Sequence, residues 1–178
     1  MVYLPMLVAT EKLPELKSRM INYAREHAKD IAEGLEVLPG VNALLDALSS
    51  KKNVVVGLVT GNLEEFAWMK MEGLGIRKYF TVPNIGGFGS DHSDRGQLVK
   101  IAAERAEKLV PGGFDLRVHV GDTPSDIRAA EFGGALAVGV CTGIFTKEDL
   151  LQAGTGSAVI LPNLAEVGVF MGVLGIQS

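Results

Sequence analysis

The stretch VHVGDTPSDIRAAEFGGALAVGV, from Val118 to Val140, contains two apolar runs separated by a polar turn and a short amphipathic segment. The first run stops at Gly121-Asp122, and the second begins at Ala135. Short, almost uninterrupted apolar runs of this kind are typical of parallel strands that helices cover on both faces. The stretch therefore predicts a strand, a helix and a second strand, which is the repeating unit of a parallel α/β sheet.

The turn after the first run contains two carboxylates, Asp122 and Asp126. Thr123, Pro124 and Asp126 predict a helix start, with a threonine N-cap, a proline at the first position and an acid at the third. Capping thus accounts for Asp126 but not for Asp122. A carboxylate at the tip of a buried strand is costly unless a cation or hydrogen-bond donors meet it. Oxygen ligands beside a phosphate-sized cleft indicate Mg²⁺.

The alternation of apolar runs and helical segments continues through most of the chain, beginning with NVVVGLVTGN at residues 53–62. Strands that alternate with helices predict right-handed crossovers and a doubly wound, Rossmann-like parallel sheet. Besides the run at 53–62, strands are predicted near 79–82, 117–120, 135–140 and 158–161. Helices are predicted at about 41–48, 64–71, 97–109, 124–132 and 147–151, and after Asn163.

A separate helix is predicted at residues 13–33, where apolar or aromatic side chains recur at helical spacing. The stripe consists of Leu16, Met20, Tyr23, His27 and Ile31. Composition changes near residues 34–39, where this helical piece meets the α/β segment. We therefore expect a small helical unit at residues 1–34 and an α/β core at residues 35–178.

Composition limits the class of protein and its partners. With 178 residues, 47% hydrophobic content and a net charge of −4, the chain has the size of one ordinary domain. Its 17 basic residues are scattered, which argues against a nucleic-acid or membrane-surface partner. The single cysteine, Cys141, fits a reducing, cytoplasmic setting. The apolar start lacks a basic leader and a cleavage site, and no long apolar run predicts a membrane span.

The other strand end whose residues could bind a ligand is Thr60-Gly61-Asn62, which combines a hydroxyl, a glycine and an amide before a helix. Ligands of open α/β sheets bind at the carboxyl ends of strands, where helix N-termini favour anions. The three residues are therefore a candidate phosphate-binding turn. The alternative, about equally supported by these residues, is that Thr60 and Asn62 cap a helix that begins at Leu63.

Between these strand ends lies GGFGSDHSDRGQLVKIAAERA, residues 86–106. Its glycines predict a flexible loop, and either Arg95 or Lys100 could bring a positive charge to a phosphate. Arg95, at the loop-to-helix junction, is the better candidate, because a lysine on a surface helix is usually only solvated. The histidines show no metal-ligand spacing and are interpreted as structural.

Three segments, VVVGLVTGN, SDHSDRGQLVKIAAERA and VHVGDTPSDIRAAEFGGALAVGVCTG, resemble in order and spacing the second, third and fourth motifs of the haloacid dehalogenase superfamily. The resemblance is to its phosphoglycolate phosphatase-like branch and runs from about Leu35 to the C-terminus. It implies a Mg²⁺-dependent phosphatase with a helical cap, acting on a small phosphorylated metabolite. It also implies that Thr60 binds the phosphoryl group, that Arg95 or Lys100 neutralises it, and that Asp122 and Asp126 hold or orient Mg²⁺.

The chain departs from this family in lacking an Asp-x-Asp motif, which carries the nucleophile after the family's first strand. We therefore expect a chain that begins after that strand, keeps only a remnant of the cap at residues 1–34, and is inactive by itself. The strand would lie between those ending at Thr60 and Asp122, so its absence predicts a gap filled by residues 2–8, self-association through the exposed sheet edges, or poor solubility. Two other hypotheses are a non-catalytic phosphate- and metal-binding descendant and a receiver-type phosphoacceptor domain. The receiver is disfavoured because the chain has no early acidic pair.

Overall fold

The structure is a computed structural model that describes residues 6–28 and 30–176, with side chains from residue 11 onwards. Within these residues, parallel strands alternate with helices, as the sequence predicts. The helices are α1 (Met6–Glu26), α2 (Val41–Ser49), α3 (Glu64–Gly73), α4 (Arg95–Glu107), α5 (Pro124–Phe132), α6 (Lys147–Gln152) and α7 (Val167–Val173). The strands are β1 (Leu58–Thr60), β2 (Gly86–Phe88), β3 (Val118–Gly121), β4 (Leu136–Val140) and β5 (Val159–Leu161). None of the described helices is long and apolar enough to cross a membrane.

The strands form two parallel sheets, β1-β2 and β3-β4-β5. In the first sheet Thr60 is paired with Phe88, and in the second Gly121 is paired with Gly139. Within the described part of the chain no ladder joins β1 to β3, which agrees with the predicted gap between the strands that end at Thr60 and Asp122. The prediction that residues 2–8 fill this gap is wrong for residues 6–8, which belong to α1, and residues 2–5 lie outside the described residues.

Helices cover both faces of β4, which makes the larger sheet the centre of a three-layer structure. Val138 and Val140 share one apolar cluster with residues of α2 and α7. Ala137 lies in a second cluster with residues of α5 and α6. Since adjacent side chains of a strand point to opposite faces, this alternation confirms the doubly wound arrangement.

The second strand in chain order is not where the sequence predicts it. Residues 77–79 form a short 3-10 helix, and the strand that pairs with β1 is Gly86–Phe88. The expectation of a flexible glycine loop is wrong for these three residues, since Gly86, Gly87 and Phe88 are all buried. A side chain at Gly87 would clash with the carbonyl oxygen of Leu98 in α4. The glycines therefore allow a strand and a helix to approach closely.

The N-terminal helix also differs from the prediction. It spans Met6–Glu26, not 13–33, and residues 27–28 and 30–34 form turns. Its expected apolar stripe is largely exposed, with Leu16, Met20 and Tyr23 at 50%, 56% and 64% of their full exposure. Periodicity correctly identifies the helix, but the described chain offers that face nothing to pack against.

Candidate functional site

The loops that follow neighbouring strands lie against each other at the carboxyl ends of those strands. After β1 and β2, the amide of Gly89 donates a hydrogen bond to the Asn62 carbonyl oxygen at 2.8 Å. After β3 and β4, a side chain at Gly143 would clash with the Asp122 carboxylate. The Thr60 turn is thus supported by the loop after β2, and Asp122 by the loop after β4.

The Thr60-Gly61-Asn62 turn is held by its own polar groups. The Thr60 Oγ1 atom accepts hydrogen bonds from the backbone amide and the side-chain amide of Asn62, both at 3.2 Å. The capping alternative is wrong, because the N-cap of α3 is Leu63, and the side chain that accepts from the first amide of the helix, Glu64 N–H, is Ser90 Oγ at 3.3 Å. No heavy atom lies within 4 Å of a side chain built at Gly61, so the backbone there is open to a ligand.

Asp126 forms the capping box that the sequence predicts at the start of α5. Its Oδ2 atom accepts hydrogen bonds from the Thr123 amide at 3.1 Å and from the Thr123 hydroxyl at 2.7 Å. In return, the Asp126 amide donates to Thr123 Oγ1 at 3.2 Å. The box fixes one edge of the carboxylate and leaves the other edge, Oδ1, facing away from the helix start.

The Oδ1 edge of Asp126 lies between two basic side chains from other elements. Arg95, the first residue of α4, places its Nε atom 2.6 Å from Oδ1 in an ion pair. His119 of β3 places its Nε2 atom 3.5 Å from the same oxygen. The carboxylate thus connects α4, α5 and β3. The sequence already placed Arg95, as the preferred basic residue, at one site with Asp126, and the ion pair agrees with that prediction. It did not link His119 to them, and the one available signal was a histidine inside an otherwise apolar buried strand.

The surroundings of Asp126 strongly favour its charged form. Burial alone would raise its pKa, but contacts with His119 and Thr123 and the positive charge of Arg95 outweigh burial and lower the pKa to about 2. The carboxylate is therefore ionised at neutral pH.

This low pKa makes folding stability depend on pH. Because the pKa of Asp126 is depressed in the folded state, its stabilising contribution is present above the ordinary value of 3.8 and is lost as pH falls from about 4 to about 2. The loss should amount to about 2 kcal/mol of unfolding free energy. Urea unfolding between pH 5 and 2 should show a steeper decline for the parent than for Asp126→Asn. Equal slopes would mean that Asp126 titrates normally.

The Arg95 side chain makes its ion pair through Nε, and its two terminal nitrogen atoms make none within the described residues. Its side chain is 40% exposed, and Asp126 is its only ion-pair partner in the described residues. The two acids that precede it in the sequence, Asp91 and Asp94, bind other groups. Asp91 pairs with both Nη atoms of Arg105, at 2.7 and 2.8 Å, and Asp94 caps α4 by accepting from the Gln97 amide. The terminal Nη groups of Arg95 can therefore bind an anion.

Lys100 lies elsewhere. It is exposed on α4 and lines a depression with Arg117, Phe132, Gly133 and Gly134, which precede β3 and β4 or end α5. These residues are at the amino ends of the strands, opposite the Thr60 turn. Its predicted role is untested, but the placement favours Arg95 as the basic residue of the site.

The two predicted metal residues fit a cation differently. Asp122 is half-buried and makes no hydrogen bond or ion pair within the described chain, so its carboxylate suits a Mg²⁺ ion. Asp126 does not suit direct coordination, because Thr123 occupies one oxygen and Arg95 the other. Among residues 6–28 and 30–176, no three acidic, histidine or cysteine side chains form a group that could hold a metal.

The fold and the strand-end residues define a parallel α/β protein with a candidate anion site at the carboxyl ends of its strands. The profile of the haloacid dehalogenase-like hydrolases matches residues 6–134, and the chain belongs to that family. It is 31% identical over 135 residues to a phosphoglycolate phosphatase of Shigella boydii serotype 4 (strain Sb227), covering 76% of this chain and 50% of the relative. The chain thus spans half the length of this curated relative.

Solved structures show the same fold at low sequence identity. A hydrolase from Pseudomonas syringae matches with a TM-score of 0.63 and 20% identity, over 94% of this chain and 71% of that one. A predicted phosphatase from Clostridium acetobutylicum matches with a TM-score of 0.61 and 21% identity, over 88% and 68%. A haloacid dehalogenase-like hydrolase from Streptococcus pneumoniae gives 0.60 and 21%, over 76% and 60%. These likenesses support the predicted fold class.

Proposed function

We propose that this chain is part of a Mg²⁺-dependent phosphatase that hydrolyses a small phosphomonoester. The observation that carries the proposal is the ion pair between Arg95 Nε and buried Asp126. It leaves the two terminal nitrogen atoms of the guanidinium group without an ion-pair partner in the described residues. A planar guanidinium with two available nitrogen atoms matches the oxygen pair of a phosphoryl group. The similarity to a phosphoglycolate phosphatase supports the same reaction class.

The phosphoryl group would bind between the Thr60 turn and Arg95. The Thr60 hydroxyl, the open Gly61 backbone and the Asn62 amide supply hydrogen-bonding groups at the end of β1. Helix α3 begins just beyond them, and a helix N-terminus favours an anion. Arg95 would supply the positive charge that stabilises the phosphoryl oxygens in the transition state.

Mg²⁺ would be held by Asp122. Asp126 would not bind the cation and would instead orient Arg95 through their ion pair. When bound, the cation would neutralise charge on the phosphoryl oxygens. A single protein carboxylate is compatible with Mg²⁺, which commonly keeps several water ligands, but it predicts weak binding.

The attacking carboxylate is the part that this chain does not supply. The family resemblance implies an aspartyl-phosphate intermediate formed by the first aspartate of an Asp-x-Asp motif, and the sequence contains no such motif. A segment carrying it would have to lie between β1 and β3, where the described strands share no ladder. The chain would then consist of a cap remnant at residues 1–34 and a core at residues 35–178.

A second candidate function is a non-catalytic phosphate- and metal-binding protein of the same fold. The absence of Asp-x-Asp from the sequence favours it. Both candidates predict ligand binding by the chain, and they differ only in turnover once an Asp-x-Asp strand is supplied.

A cavity of about 660 Å³ would accommodate the organic part of the substrate. It lies between α1 and α3 and reaches Leu63 and Ser90, which adjoin the Thr60 turn and the loop after β2. Trp68 contributes apolar surface, and the charged lining is mixed, with Lys17, Arg25 and Arg77 beside Glu64 and Glu65. This combination suits a small metabolite better than a macromolecule. We also propose a cytoplasmic location, from the cysteine content, and self-association through the edges of β1 and β3 that are unpaired in the described residues.

Calorimetric titration with Mg²⁺ at neutral pH tests the metal assignment. The parent chain should bind Mg²⁺ weakly, and Asp122→Asn should weaken binding by about tenfold or more, since carboxylate charge sets the affinity of such sites. Asp115→Asn, which removes the same charge from an exposed loop before β3, is the matched control and should bind as the parent does. Identical titrations of all three proteins would remove Asp122 from the metal site.

A further inference from the structure

We propose that His119 is a positioning residue for Arg95, acting through Asp126. The inference rests on the proposed function, in which Arg95 binds the phosphoryl group, and it concerns a residue to which the family resemblance assigns no role. His119 lies on β3 and does not itself reach the anion.

His119 is buried inside a largely apolar strand. His119 is 8% exposed and lies between Val118 and Val120. A polar ring in such a position costs free energy unless it has a polar neighbour. Its Nε2 atom is fully buried and makes no hydrogen bond within the described residues, and the charged group beside it is Asp126 Oδ1, at 3.5 Å. The imidazole is thus directed at one atom of the site.

The two oxygen atoms of the Asp126 carboxylate have different partners. Thr123 binds only Oδ2, whereas Oδ1 is shared by Arg95 and His119. Because Thr123 holds only Oδ2, a rotation of the Asp126 side chain could still displace Oδ1. With His119 beside Oδ1, the oxygen that holds Arg95 Nε is enclosed on two sides.

The consequence concerns the orientation of the guanidinium group. Because Arg95 is anchored through Nε alone, the position of Oδ1 determines where its two Nη atoms point. Bidentate recognition of a phosphate depends on that geometry, and an error of about 1 Å can cost a large factor in such sites. His119 therefore acts on anion affinity without touching the anion.

The test compares His119→Leu with His119→Gln. We expect the apolar variant to shift the Arg95 Nε–H resonance in the ligand-free chain, assigned by its loss in Arg95→Lys. We also expect it to weaken binding of inorganic phosphate, measured by calorimetry, by about tenfold, which corresponds to about 1.4 kcal/mol. Glutamine can place an amide donor near Oδ1 and should restore both readouts to near the parent values. His27→Leu, at an exposed histidine stacked on Tyr23, is the matched control and should change neither.

Three results would overturn the inference. They are an unshifted Arg95 resonance in His119→Leu, phosphate affinity equal to that of the parent, and equal losses in the leucine and glutamine variants, which would indicate packing and not polar positioning. If His119→Leu does not fold, His119→Met replaces it in the same comparison. If the parent binds no phosphate, the proposed function fails, and the Arg95 resonance still decides whether His119 positions that side chain.

Discussion

The 178-residue chain should show no measurable turnover of phosphoglycolate or p-nitrophenyl phosphate in the presence of Mg²⁺. Phosphoryl transfer to an aspartate needs a carboxylate aligned with phosphorus, and positioning of that kind supplies on the order of 7–11 kcal/mol of the barrier reduction. Thr60, Arg95 and Asp122 can bind the phosphoryl group and a metal, but the geometry assigns none of them the role of nucleophile. Phosphate release, followed colorimetrically over hours at saturating substrate, measures this.

An N-terminally extended version carrying a strand that ends in Asp-x-Asp-x-Thr should be active. Its matched control is the same protein with the first aspartate of the motif changed to asparagine, which should fold but be inactive. Mg²⁺-dependent release of phosphate by the 178-residue chain itself, abolished by Asp122→Asn, would contradict the prediction. Asp126 or a second polypeptide would then have to supply the nucleophile.

The position of β1 and β3 gives the physical reason to expect activity from the extended version. In the described residues β1 and β3 each have one unpaired edge, and a strand that lay between them, as the family resemblance implies, would pair with both and end between Thr60 and Asp122. Residues 54–60, an apolar run, are half-buried or exposed throughout, whereas most of β4 is buried. An added strand would cover that exposed apolar surface, so the extended protein should also be the more soluble of the two.

Gly87→Ala should cause the largest loss of stability among glycine substitutions in the sheet. A methyl group at this buried position would clash with the carbonyl oxygen of Leu98, a backbone atom of α4 that cannot move by a side-chain rotation. Forcing the strand and the helix apart should cost about 3 kcal/mol, at the upper end of the usual range for overpacking. In a protein of this size that lowers the midpoint of thermal unfolding by about 10 °C.

Gly172→Ala in α7 is the matched control for Gly87→Ala. No heavy atom lies within 4 Å of a side chain built there, and the position is helical. Alanine should therefore leave stability unchanged or raise it by up to about 1 kcal/mol. If both variants melt at the same temperature as the parent, β2 and α4 are not as closely packed as the structure indicates.

Local signals in the sequence were enough to locate several elements. Helix α5 has the predicted bounds, Pro124–Phe132, because its capping box and first-turn proline act within four residues of one another. The fold class was also predictable, since apolar runs alternating with helical segments admit few other arrangements. Strand β2 was missed because two of its three residues are glycines, which carry no apolar pattern.

Sequence alone determined the parallel α/β fold, the capped start of α5, and the presence at the strand ends of Thr60, Asp122 and Asp126. Each of these depends on residues that are near neighbours in the chain. Tertiary structure decided that Arg95, not Lys100, lies with Asp126, that His119 joins them, and that the α1 stripe is exposed. These contacts join residues 7 and 31 positions apart on different elements, or depend on what covers a helix, and no local pattern encodes a contact made only when α4, β3 and α5 pack together.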